Sequence, residues 1–168
     1  TTTSMDTGDQ VVDTPTDNYC VLSSIDFSSS ATLSDANLVA DFPASWVNGR
    51  ATFSVPSSGK WSIQIQASAL TFYIGIVAPG EGDGDMDTSG TDALYYYANT
   101  GFIGTFRSGS QVKEVTNDPP KVAVDTNMEF LIDKDNDQVG VVIADTLYMA
   151  VDSGVAIQDT ETKIFVQG

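Results

Sequence analysis

The chain has no histidine and only one cysteine among its 168 residues. Without histidine there is no Ser-His-Asp or Cys-His catalytic set, and the usual zinc ligand sets are out of reach. A single cysteine cannot close an intrachain disulfide, so the fold stands without one. Cys20 lies in YCVL, between apolar neighbours, and reads as a small core residue. Long apolar runs are also missing, and no window reaches the length of a membrane-spanning helix. The opening TTTSMDTGDQ has neither a basic region nor an apolar region, so no secretory leader is expected in it.

Positive charge is scarce. Seven Lys and Arg face 23 Asp and Glu, for a formal charge of −16. Such a field repels phosphate backbones and anionic lipid surfaces, which argues against nucleic-acid and membrane partners. It also keeps many copies soluble side by side. Helical patterning is the last absence. No stretch sustains apolar residues at i, i+3, i+4 and i+7, and no capping box leads into one.

What is present is alternation with a period of two. In KWSIQIQAS, Trp61, Ile63, Ile65 and Ala67 share one face, and Ser62, Gln64 and Gln66 the other. ATFSV places Ala51, Phe53 and Val55 together. FYIGIV, EFLID, VGVVI, TLYMAV and KIFVQ follow, each rich in β-branched or aromatic residues and bounded by turn formers. Hydrophobic residues make up 41% of the chain, enough for a real core in one domain. Many short strands between turn signals predict an all-β antiparallel sandwich or barrel.

The turns are legible as well. SDAN (Ser34–Asn37) predicts a first hairpin, PSSG (Pro56–Gly59) a second connection, and DKDND (Asp133–Asp137) a third. Pro79–Asp92 and Ser108–Pro120 read as long loops, where binding residues often sit. Residues 1–12 lack periodicity and read as a flexible arm, or one that orders on a partner, ahead of a single domain over 13–168.

The order of motifs resembles a known family. DTPTDNYCVLSSIDFSSSATLSDANLVADF is followed by SW, GRATFSV and SSGKWSIQIQ, then FYIGIVAP, TLYMAVDSG and TKIFVQG. This series is similar to the SPRY-type, concanavalin-like domains of virion proteins of tailed phages. It departs at Ser62, where an aromatic is usual, and at Met149, where proline is. The resemblance implies a jelly-roll β-sandwich that serves as a binding and structural scaffold. The family shares no catalytic residues, and its ligand contacts come from variable loops.

Two acidic runs invite a metal reading. Asp83, Asp85 and Asp87 alternate in PGEGDGDMDTSGTD, and Asp133, Asp135 and Asp137 alternate in DKDND. An EF-hand loop needs glycine at position 6 and glutamate at position 12. Counting from Asp83, Thr88 and Leu94 stand there; counting from Asp133, Gln138 and Ala144 do. Neither run is an EF-hand. Calcium at another geometry stays open for Asp83, Asp85 and Asp87, beside the plainer reading of a solvated loop. The expectation is no cofactor.

The aromatic candidates are Tyr95, Tyr96, Tyr97 and Trp46. In an extended strand the three tyrosines alternate faces, so at least one ring leaves the main core. Packing or a protein interface is the leading reading, and a glycan-stacking platform the other. Trp61 lies on the inward phase and is expected in the core, whereas Trp46 sits at a loop-to-strand junction. Glycoside hydrolysis needs two carboxylates at a set separation. The acids here cluster in turns, so no enzyme is expected. VAVDTNMEF faintly resembles a legume-lectin metal strand but lacks its histidine.

Together these point to a non-enzymatic virion component: a capsid decoration or cement protein, or part of a fibre or spike. Its partners would be other virion proteins and further copies of itself. The alternative is a receptor- or glycan-binding module of a tail fibre, engaging a host-surface glycan.

Overall fold

The computed structural model describes residues 20–27, 30–43, 47–67, 71–77, 93–107, 110–113, 119–136, 138–151 and 161–168. Their strands in chain order are β1 (Leu22–Phe27), β2 (Thr32–Ser34), β3 (Val39–Asp41), β4 (Asn48–Val55), β5 (Lys60–Ala67), β6 (Tyr73–Val77), β7 (Ala93–Tyr97), β8 (Phe102–Arg107), β9 (Ser110–Lys113), β10 (Thr126–Asp133), β11 (Gln138–Ile143), β12 (Thr146–Val151) and β13 (Thr162–Gln167). No helix occurs among the described residues. Every pairing is antiparallel.

The strands form a seven-stranded sheet in the order β1-β4-β13-β6-β7-β8-β9 and a four-stranded sheet in the order β12-β11-β10-β5. A separate ribbon joins β2 to β3. The ribbon's turn is tied to β1, where the Leu22 amide donates to the Asn37 carbonyl at 2.9 Å. One core joins the two large sheets. The first contributes Ile74, Ile76, Leu94, Tyr96, Ile103 and Ile164, and the second Met128, Phe130, Ile132, Val139, Val141 and Ile143. The architecture is a sandwich rather than a closed barrel.

The hairpin at Asp35–Leu38 and the one whose strands pair from Asp133 and Gln138 stand where the turn residues place them. A further tight hairpin joins β11 to β12 through Ala144 and Asp145, whose φ of 48° and 60° fit the mirror-image turn that matches strand twist. PSSG makes its connection without closing a hairpin. It carries the chain from β4 in one sheet to β5 in the other, so the two flanking strands do not pair. Ser108–Pro120 is not loop throughout, because Ser110–Lys113 forms β9 on the edge of the large sheet.

Two aromatic assignments are corrected. Trp61 is 36% exposed. It stands at the corner where the chain has just crossed between sheets, with its indole N–H donating to the Ser58 carbonyl at 3.0 Å. Its ring leans on Phe53, with centroids 6.4 Å apart. Phe53 leaves the inward phase of Ala51 and Val55 and is 49% exposed. The reason is a bulge. Ser54 pairs with Lys163 and Arg50 with Phe165, so residues 51–53 of β4 face one residue of β13 and alternation breaks. Cys20 packs half-buried against the core, and burial pushes its thiol up, against a smaller lowering from the Phe53 backbone.

The seven-stranded sheet is apolar on both faces. Tyr73, Val77, Ala93, Tyr95 and Phe165 form a second buried cluster on the side away from the core, with Tyr97 and Phe102 packed against it. Tyr73 and Tyr97 stack at 4.1 Å, and Tyr73 meets Tyr95 edge-on at 5.5 Å. Two-sided burial explains why these strands read as continuous apolar runs.

Candidate functional site

The tyrosine run divides as the pleat requires. Tyr96 points into the main core, and Tyr95 and Tyr97 into the second cluster. Tyr95 and Tyr96 are fully buried, so neither ring offers a face to a ligand; Tyr97 is half-buried. The Tyr96 hydroxyl donates to the Pro120 carbonyl at 3.0 Å, and burial raises its phenol well above the ordinary value. Trp46 and the loop carrying Asp83, Asp85 and Asp87 lie outside the described residues.

Residues 133–136 of the DKDND run form a clasp, and Asp137 lies outside the described residues. The Asp133 carboxylate accepts from the Lys60 ammonium at 2.7 Å, and from the Asn136 amide nitrogens at 3.2 Å and 2.9 Å. Those donors hold its carboxyl below the usual carboxylate range, and the same pair raises Lys60. Asp135 accepts the Gly59 N–H at 2.8 Å, and the Lys134 N–H donates to the Gly59 carbonyl at 3.0 Å. The Lys134 ammonium, fully buried, donates to the Thr162 hydroxyl of β13 at 3.2 Å. The hairpin thus grips the sheet-crossing turn and reaches the opposite sheet. Asp133 and Asp135 spend their oxygens on this work, and no group of three metal-ligating side chains occurs among the described residues.

A groove lies elsewhere, on the outer face of the four-stranded sheet. It has a volume of about 520 Å³ over β5, β10 and β11, and Ala144 and Asp145 of the β11–β12 turn also line it. Register assembles it. Gln66 stands opposite Asn127, Gln64 opposite Glu129, and Glu129 opposite Val142. These are the outward members of strands whose inward members, Met128, Phe130 and Ile132, make the core. Directly opposed residues sit with Cβ atoms about 5 Å apart, so the amides and the carboxylate act as one array. Beside it, Val142 pairs with Leu147, which is 52% exposed and extends an apolar shelf.

Each glutamine or asparagine amide offers two N–H donors and a carbonyl acceptor, and Glu129 and Asp145 add carboxylates. This set can hydrogen-bond and attract cations. Among the described residues it contains no thiol, hydroxyl or amine nucleophile. The alternation in KWSIQIQAS already turned Gln64 and Gln66 outward. Their pairing with Asn127 and Glu129 was invisible in the sequence, because β5 and β10 are far apart along the chain.

No family model matches the chain, and no curated protein matches it in sequence. Solved structures do match. The TRIM65 PSpry domain superposes with a TM-score of 0.62 at 10% identity, covering 89% of this chain and 86% of that one. The fold is that of SPRY domains. The SPRY domain of human HERC1 aligns over 71% of this chain and 72% of its own, with a TM-score of 0.53 and 13% identity. Stonustoxin matches over 88% of this chain, with a TM-score of 0.58 and 10% identity, and the match spans 25% of the toxin chain. The concanavalin-like sandwich implied by the motif series is therefore the observed one.

Proposed function

We propose that this SPRY-fold chain is a non-enzymatic protein-interaction domain and, following its resemblance to tailed-phage domains, a structural component of a virion. The observation that carries the reading is the groove. Its described lining offers hydrogen-bonding amides and two carboxylates, and no nucleophile among the described residues. The one thiol lies elsewhere, half-buried and held protonated. The clasp carboxylates serve the fold. A decoration or fibre role suits a scaffold whose two sheets share one core and are bridged by the Lys134–Thr162 hydrogen bond, because a preorganised surface changes little on docking.

The test is association with particles. Purified phage particles from a culture that makes the protein are analysed by mass spectrometry, and tagged domain is sedimented with particles that lack it. Stoichiometric presence and saturable co-sedimentation are expected. A protein absent from particles, and left in the supernatant, overturns the reading.

A further inference from the structure

We propose that the groove on the four-stranded sheet binds an extended, basic segment of a partner protein, a deepening that rests on the reading of the chain as an interaction domain. Three features of the lining select this occupant.

The first is charge. Glu129 and Asp145 line the groove, and among the described residues no lysine or arginine does. The surrounding chain carries −16. Anionic ligands are repelled, and a guanidinium or ammonium group is drawn in. No side-chain hydrogen bond or ion pair among the described residues engages either carboxylate, unlike Asp133 and Asp135 in the clasp.

The second is the amide array. Gln64, Gln66 and Asn127 lie in register on adjacent strands. Each presents donor and acceptor together, which is what the alternating N–H and C=O groups of an extended backbone require. Gln64 and Gln66 belong to β5, the terminal strand of this sheet among the described residues.

The third is the shelf made by Val142 and Leu147. Arginine and lysine lay their methylene stems on apolar surface while the charged head reaches a carboxylate. A sugar would instead want an exposed aromatic face, and no aromatic residue is among the described residues of the lining. The volume of about 520 Å³ falls within the range of specific ligand sites.

The experiment uses the whole chain, isotopically labelled for NMR. The probes are Ser-Arg-Asn-Arg-Ser, its counterpart Ser-Glu-Asn-Glu-Ser, and a neutral oligosaccharide. The arginine peptide is expected to shift backbone amides at Gln64, Gln66, Asn127, Glu129 and Asp145, and to bind more weakly as salt is raised. Half-exposed ion pairs contribute roughly two- to fivefold each, so Glu129→Gln with Asp145→Asn should weaken binding about tenfold. Glu129→Lys with Asp145→Lys should reverse the preference toward the glutamate peptide, a gain that misfolding cannot mimic. Undiminished binding to the neutralised variant overturns the proposal, since attraction to the overall charge would then suffice. Shifts produced by the oligosaccharide alone overturn it too. If the arginine peptide ignores the groove while the domain still sediments with particles, this inference alone falls. If the domain never joins particles, the broader reading falls whatever the peptides do.

Discussion

Replacing Gly75 with alanine puts a methyl group where there is no room for one. Gly75 lies in the middle of β6, paired with Phe165 on one side and Tyr95 on the other. A Cβ built there collides with the Leu94 carbonyl oxygen and comes within 2.6 Å and 2.8 Å of two Phe165 ring carbons. The carbonyl is backbone within a paired strand, so it cannot swing aside without disturbing the ladder. The ring is packed in the second apolar cluster and is 3% exposed. Overpacking of this kind costs about 1–3 kcal/mol, and this site belongs at the upper end. Against it stands the gain from replacing glycine inside a strand, about 0.5–1 kcal/mol.

The expected net loss is therefore about 2 kcal/mol. For a chain of this size that lowers the melting temperature by about 4–8 °C. Urea unfolding followed by circular dichroism would read it as a lower midpoint with an unchanged slope. Phe165→Ala separates the two obstacles. Alone it should cost about 3–5 kcal/mol. Combined with Gly75→Ala it removes the ring collision and leaves the carbonyl one, so the pair should fall short of additivity by about 1 kcal/mol. A Gly75→Ala protein within about 0.5 kcal/mol of the parent, a typical surface-change effect, would refute the packing argument. Strict additivity would refute the role of Phe165.

Three further outcomes follow from the clasp and the core. Asp133 has its carboxyl lowered by Lys60, so its contribution is fully present above the unfolded carboxylate value and is lost as pH falls through the lowered one. Lys60→Ala should thus move the acid-unfolding midpoint to higher pH, and an unmoved midpoint in a fluorescence titration would discount the pair. Tyr96 has its phenol raised by burial, so stability holds below the ordinary tyrosine value and declines as pH rises beyond it. Tyr96→Phe should cost about 1 kcal/mol near neutrality through its lost bond to Pro120, yet flatten that alkaline decline. Lys134→Ala strips three buried methylenes and should cost about 2 kcal/mol. Lys134→Met should recover most of this in the same urea assay, and equal losses in both variants would shift the weight to the Thr162 hydrogen bond.

Strand existence was legible where one face meets the core and the other meets water. KWSIQIQAS shows this best, since Ile63, Ile65 and Ala67 are turned in and Gln64 and Gln66 out. Turn chemistry was equally plain at Ser34–Asn37, where three successive residues adopt positive φ. Reading failed where a local rule is overridden from a distance. Phe53 obeys the alternation of β4 on paper, but the bulge is imposed by pairing with β13, more than a hundred residues later. Trp61 has the inward phase and loses burial to its place at a corner, which is a property of the crossing turn. Gly75 is the opposite case. Within FYIGIVAP its presence has no local explanation, and the structure supplies the cause in the Leu94 carbonyl and the Phe165 ring lying where a side chain would go.

The candidate site was harder to read than the fold, because conspicuous residues and available residues are different sets. Aspartates in rhythm and tyrosines in a row drew attention as chemistry. Where the structure describes them, the hairpin aspartates are committed to Lys60, Asn136 and Gly59, and two of the three tyrosines are closed inside apolar clusters. A group that already has its partners has little free energy left to offer a ligand. The groove has the reverse character. Gln64, Gln66, Asn127 and Glu129 are ordinary outward residues of two strands, individually indistinguishable from solubilising surface. Only the β5–β10 register makes them adjacent, and Ala144 and Asp145 of the next hairpin join them in lining the groove. Their availability follows from the same arrangement, since the inward neighbours Met128, Phe130 and Ile132 carry the packing and leave the outward row free to bind.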